Sequence, residues 1–118
     1  MRSKASDVYS YGVVLLELLT KKKAVDGSFP EGMDLVGWVR SEWNCSKQID
    51  KFIDGSLLEE LLDPIVLEQV YGVFFVALRC TEREPKKRPN MREVVKMLED
   101  ANTTTKAKKN SSSSSLVA

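Results

Sequence analysis

Apolar positions along this chain fall into four blocks with helical spacing, separated by stretches where charge, glycine and proline take over. In the first block, Val8 to Leu19, only Ser10, Gly12 and Glu17 interrupt Val, Leu and Tyr. A helix lying on a surface shows an apolar stripe of roughly 100° and a polar remainder, so this block predicts a buried, central helix. Full burial of such side chains at roughly 1.5–3 kcal/mol each sums to well over ten kcal/mol before conformational entropy is subtracted. Ser6 is the N-cap candidate, Asp7 suits the positive end of the helix dipole, and Lys21, Lys22 and Lys23 suit its negative end.

Residues 24–33 hold two glycines and a proline and read as a loop. A second helix starts near Asp34, with Leu35, Val36, Trp38, Val39 and Trp43 on its apolar side and Arg40 and Glu42 on its wet side. Asn44 to Gly55 is polar and turn-rich and is expected to cross the surface. Leu57, Leu58, Leu61 and Leu62 keep helical spacing until Pro64 interrupts, and Ile65 to Leu78 forms a third, strongly apolar helix. Charge and two prolines turn the chain between Cys80 and Pro89. A last helix follows, opened by Asn90 and Glu93 at capping-box spacing and carrying Met91, Val94, Val95 and Leu98. The chain is therefore expected to be mainly α, about four helices over residues 1–100. Residues 101–118, rich in Ser and Lys with almost nothing to bury, form a disordered tail.

Charge changes this picture little. With 18 basic and 17 acidic residues the net charge is +1, too small a field to argue for nucleic acid or an anionic membrane. Cys45 and Cys80 lie far apart and form neither a disulfide framework nor a zinc motif, so a reducing compartment is the default. The first apolar block contains Glu17 and falls short of the ~20 apolar residues that a bilayer span needs. It also lacks the small-residue cleavage site of a signal peptide.

Candidate chemistry is conspicuous by what is missing. Histidine is absent, which removes His-based acid/base catalysis, Ser-His-Asp triads, Cys-His pairs and most zinc sites. The six glycines, at 12, 27, 32, 37, 55 and 72, never approach a phosphate-loop spacing. Glu59, Glu60, Asp50 and Asp54 lie in polar stretches and read as solvated surface.

Two segments carry a family resemblance. Residues 4–20, Lys-Ala-Ser-Asp-Val-Tyr-Ser-Tyr-Gly-Val-Val-Leu-Leu-Glu-Leu-Leu-Thr, resemble the helix after the activation segment of eukaryotic protein kinases. Residues 80–98, from Cys-Thr-Glu-Arg-Glu-Pro-Lys-Lys-Arg-Pro through Met-Leu, resemble the segment that closes the same domain. Val-Val-Leu-Leu-Glu-Leu-Leu-Thr, Trp-Val-Arg and Cys-Thr before Arg-Pro are similar to plant leucine-rich-repeat receptor-like serine/threonine kinases. The resemblance covers residues 2 to 100 and corresponds to the final third of the kinase domain, part of its large C-terminal lobe.

Carried over residue by residue, the resemblance makes Asp7 an acidic anchor whose carboxylate accepts N–H groups of the catalytic loop. A first-turn Asp stabilising the dipole explains the same residue. Val14 and Leu18 are similar to the apolar seats of the family's hydrophobic spine, and ordinary core packing fits them equally. Arg88 resembles the arginine that pairs with the glutamate of an Ala-Pro-Glu motif; since that motif is absent here, Arg88 is expected to be solvated or strained. Trp38 and Trp43 form a possible partner face, although two tryptophans at this spacing are more often core.

A working kinase needs a Gly-rich loop over ATP, a lysine on the third strand, the Asp and Asn of the catalytic loop and the Asp of Asp-Phe-Gly, and these 118 residues contain none of them. No catalytic, cofactor-binding or metal residue is therefore assigned, and ATP and Mg belong to the intact parent. For that parent the resemblance implies transfer of the γ-phosphoryl of ATP to Ser or Thr of protein substrates or co-receptor kinases, at the cytosolic face of the plasma membrane. A reading from another class is a helical interaction module that docks on intact kinases or competes with them. Ser111 to Ser115 could accept phosphate or simply keep the tail soluble.

Overall fold

The structure, a computed structural model, describes residues 3–24, 29–30 and 32–102. Among these residues it consists of four α-helices joined by loops and short 3-10 turns, with no strand. Helix α1 spans Lys4–Thr20. Its cap is Ser3, whose extended backbone lets Oγ accept the Ser6 N–H at 3.1 Å. Ser6, the residue the sequence suggested, sits inside the first turn, and its carbonyl accepts the Ser10 hydroxyl instead. At the other end Lys21 adopts a left-handed φ of 59° and donates its N–H to the Glu17 carbonyl. The three lysines thus stand beyond the helix rather than in its last turn, and the first of them takes a conformation that usually falls to glycine.

The Glu17 carboxylate, the one charge in the apolar block, turns back to the chain it has just left. It accepts the Ala24 N–H at 2.9 Å, and the Ala24 carbonyl accepts the Leu35 N–H at 3.2 Å. These two bonds bring the start of α2 (Leu35–Ser46) against the end of α1. Asp34 caps α2 as expected, accepting the Gly37 N–H at 2.9 Å.

The stretch from Asn44 to Gly55 departs from expectation, because it enters the core instead of crossing the surface. A 3-10 turn over Ile49–Lys51 points Ile49, Phe52 and Ile53 inward, all nearly inaccessible to water. The Asp54 N–H then closes on the Leu19 carbonyl at 3.0 Å. Three apolar residues at i, i+3 and i+4 within a polar run were enough to drag it in. The four leucines that follow make two 3-10 turns, Gly55–Leu57 and Glu60–Leu62, rather than an α-helix. Leu62 is 80% exposed and contributes little burial. Pro64 starts helix α3 (Pro64–Cys80) instead of breaking one, since its missing N–H costs nothing in the first turn, and Asp63 caps it by accepting the Ile65 N–H.

Helix α4 occupies residues 91–102. Its start is the capping box read from the sequence: the Glu93 N–H donates to Asn90 Oδ1 at 2.8 Å and the Asn90 N–H to Glu93 Oε1 at 3.3 Å. Residues 101 and 102 continue this helix, whereas residues 103–118, carrying the rest of the expected tail, lie outside the described residues, as do residues 25–28 and 31 of the expected loop.

Two clusters form the interior. The larger joins Leu16 and Leu19 of α1, Leu35, Val36 and Val39 of α2, the inward turn, and Phe74 and Ala77 of α3. The smaller joins Val8, Val76, Cys80 and Val94, and so ties α4 to α1 and α3. Between α1 and α3 the backbones meet at Gly12, where a Cβ atom would lie 2.7 Å from Cys80 Cβ and 2.8 Å from Thr81 Cγ2. Gly12→Ala should therefore force the helices apart and cost about 1–3 kcal/mol, read as a lower urea midpoint. Gly55→Ala, which meets nothing within 4 Å, should leave that midpoint almost unchanged or raise it slightly.

Candidate functional site

Of the residues singled out in the sequence, Asp7, Val14 and Leu18 lie on α1, Arg88 on the turn that faces its first half, and Trp38 and Trp43 on α2. The turn after α3 is tight, Pro85–Lys87 forming a single 3-10 turn, and it lays Arg88 across the start of α1. The Arg88 guanidinium donates from Nε to the Glu82 carbonyl at 2.8 Å, and its terminal nitrogens donate to the carbonyls of Ala5 at 3.1 Å and Arg83 at 3.3 Å. Its Cζ stands 4.7 Å from the centre of the Tyr9 ring. Arg88 is thus neither solvated nor strained, contrary to the expectation for a family arginine without its glutamate. Three carbonyl dipoles and an aromatic face take the place of a carboxylate, which a planar guanidinium permits and an ammonium does not.

Asp7 is exposed in the first turn of α1, near Asn90, Met91 and Arg92 at the head of α4. About two and three turns on, Val14 and Leu18 point away from both clusters, at 48% and 57% exposure, while Leu16 on the opposite side is 1% exposed. The helix expected to be buried all round is covered along one side and bare along the other. Trp38 and Trp43 are half-buried and pack inward. Trp38 lies 5.7 Å from the Phe29 ring with the Lys22 ammonium over it, and Trp43 meets Phe74 edge-on at 5.1 Å and Phe75 at 5.5 Å. The packing role weighed for these tryptophans is the one the structure displays.

Arg40 was assigned to the wet side of α2, yet it reaches across to the end of α3. Its guanidinium donates to the Leu78 carbonyl at 2.5 Å and to Thr81 Oγ1 at 3.2 Å, while Thr81 Oγ1 donates to the Ala77 carbonyl. No local pattern could have exposed this, because its partners stand 38 and 41 residues away in the chain.

The side chains described here hold backbone. Among the described residues no three His, Cys, Asp or Glu side chains come together as a metal site, and no helix is long and apolar enough to cross a membrane. Cys80 is fully buried and Cys45 exposed, and both are free. Burial pushes the Cys80 thiol above the ordinary thiol range, against a smaller opposing pull from the Arg79 charge.

A helical body with these two terminal signatures defines part of a kinase large lobe. A profile of the protein tyrosine and serine/threonine kinase family matches residues 1–98, and the chain belongs to that family. A receptor-like protein kinase of Ipomoea nil is 58% identical over 98 residues, covering 83% of this chain and 9% of the relative. The leucine-rich repeat receptor-like protein kinases PEPR1 and PEPR2 of Arabidopsis thaliana are 51% identical over 105 residues and 52% over 104, each covering 85% of this chain. The chain spans 9–10% of the length of these relatives.

Two outcomes follow from the geometry. Arg88→Ala should remove three hydrogen bonds and lower stability by about 1–3 kcal/mol, with Arg88→Lys recovering little because one ammonium cannot reach three divergent carbonyls; urea titration of the three proteins reads this directly. A thiol-reactive chromophore should label Cys45 at once and Cys80 only on unfolding. Because Cys80 holds its proton more tightly folded than unfolded, stability should fall as pH rises through and above the ordinary thiol range, and Cys80→Ala should flatten that decline.

Proposed function

We propose that this chain is the closing part of the large lobe of a receptor-like serine/threonine kinase, and that these 118 residues alone neither bind ATP nor transfer phosphate. The observation that carries the reading is the bare side of α1. Val14 and Leu18 occupy a helix with the composition of a core element, yet they meet water, as expected when the surrounding machinery belongs to other parts of a domain. The intact relative would couple an extracellular signal to transfer of the ATP γ-phosphoryl onto Ser or Thr of a protein substrate or co-receptor kinase at the cytosolic face of the plasma membrane. Within it, Asp7 would hold the catalytic loop from below, and Val14 and Leu18 would seat the apolar spine.

A second reading has its own support in the same surface. A soluble helical body with uncovered apolar residues on one helix could act as an interaction module that docks on intact kinases or competes for their partners.

Purified chain mixed with a fluorescent ATP analogue and, separately, with labelled ATP, magnesium and a generic Ser/Thr substrate should give neither binding nor transfer. Turnover would overturn the proposal. The bare side of α1 should bind 1-anilinonaphthalene-8-sulfonate, and a sharp cooperative melt without dye binding would count against an uncovered core helix. Retention of the chain by an immobilised intact kinase, lost in Leu18→Asp, would favour the docking module, and no retention would remove it.

A further inference from the structure

Helix α4 runs antiparallel to α3, and the register between them can be followed residue by residue. Val94 lies with Val76 and Cys80, Met97 shares a groove with Phe75 and Val76, and Ala101 meets Gly72. The face of α4 turned to α3 is therefore the i, i+3, i+7 series that starts at Val94. Each turn gained on α4 moves the contact about one turn back along α3. Past Ala101 the track continues. A cavity of about 300 Å³ runs from Ala101 and Gly72 past Tyr71 and Phe75 to the half-buried Glu68, one turn nearer the start of α3.

We infer that residues 103–108 carry α4 on along this cavity as a strap across α3, with the Lys108 ammonium paired to the Glu68 carboxylate. The register selects these residues. Continuing the series, the positions of α4 that face α3 after Ala101 are Thr105 and Lys108. At 1.5 Å per residue Lys108 stands about 10 Å beyond Ala101, level with the turn of α3 that precedes Glu68. Side chains of a helix lean toward its own N-terminus, so in an antiparallel pair a lysine placed there and Glu68 lean toward each other. Neither glycine nor proline stands between Asn102 and Ala118 to stop the helix, and Lys106, Lys108 and Lys109 suit the negative end of its dipole. Threonines 103 to 105 are poor helix formers, so packing on Tyr71 and Phe75 and the ion pair supply what propensity lacks. The chain's own segment is the occupant because Ala101, one wall of the cavity, is the residue from which that segment departs.

The test uses the whole chain, labelled with 13C and 15N, and reads Cα secondary shifts residue by residue. Helical shifts should run on from Asn102 through Lys108. Glu68→Lys and Lys108→Glu should each lower the shifts at 105–108 by about half, since replacing an attraction by a repulsion tilts a near-even helix equilibrium about threefold. The double variant Glu68→Lys/Lys108→Glu should restore most of the signal. Lys109→Glu meets the same dipole but sits about 100° round the helix, and should keep most of it. Random-coil shifts from residue 103 onward, no recovery in the double variant, or equal loss in Lys109→Glu and Lys108→Glu would each overturn the strap. Helical shifts that vanish on dilution would assign the cavity to a second copy of the chain and overturn it as well.

Discussion

The close approach between the backbone of α1 at Gly12 and the end of α3 at Cys80 and Thr81 sets the rest of the geometry. Because no side chain stands there, the two longest helices touch almost directly, and Thr81 is placed where Arg40 can reach it from α2. The smaller cluster depends on the same contact, since Cys80 is both the neighbour of Gly12 and a partner of Val8, Val76 and Val94. A single missing Cβ thus positions three helices at once.

The arginines are the second organising element. Arg40 and Arg88 each join segments far apart in sequence, and both do so through backbone carbonyls at the ends of helices or in turns. The Leu78 carbonyl, in the last turn of α3, is one of those a helix leaves without a partner of its own, whereas the Ala5 carbonyl, in the first turn of α1, takes Arg88 as an additional donor. The arrangement explains why the body does not need the family's acidic partner to keep Arg88 in place. Charge is dispersed over dipoles instead of neutralised by an opposite ion.

Much of the fold was legible because its signals are local. Asp34 and the Asn90–Glu93 pair announce helix starts within three residues of themselves, and the apolar blocks of α1 and α3 are long enough to exclude strands. What stayed hidden is non-local or a matter of degree. Ser6 was the cap expected from the sequence, but Ser3, three residues earlier, is the one whose backbone is extended and whose Oγ takes the free N–H. Ile49, Phe52 and Ile53 were too few to outweigh a polar run until a core stood nearby to receive them. Of the site, Asp7, Val14, Leu18 and Arg88 could be named from the family resemblance, but the bonds that hold Arg88 and the whole role of Arg40 required the third dimension.

The meeting of Gly72 with the methyl group of Ala101, where a Cβ on the glycine would come within 2.8 Å, has a consequence for where this folded unit stops. Composition alone draws the border at residue 100, yet α3 carries a notch shaped for the residue just past it. A chain clipped at that border would lose this contact, since α4 runs on past it to residue 102.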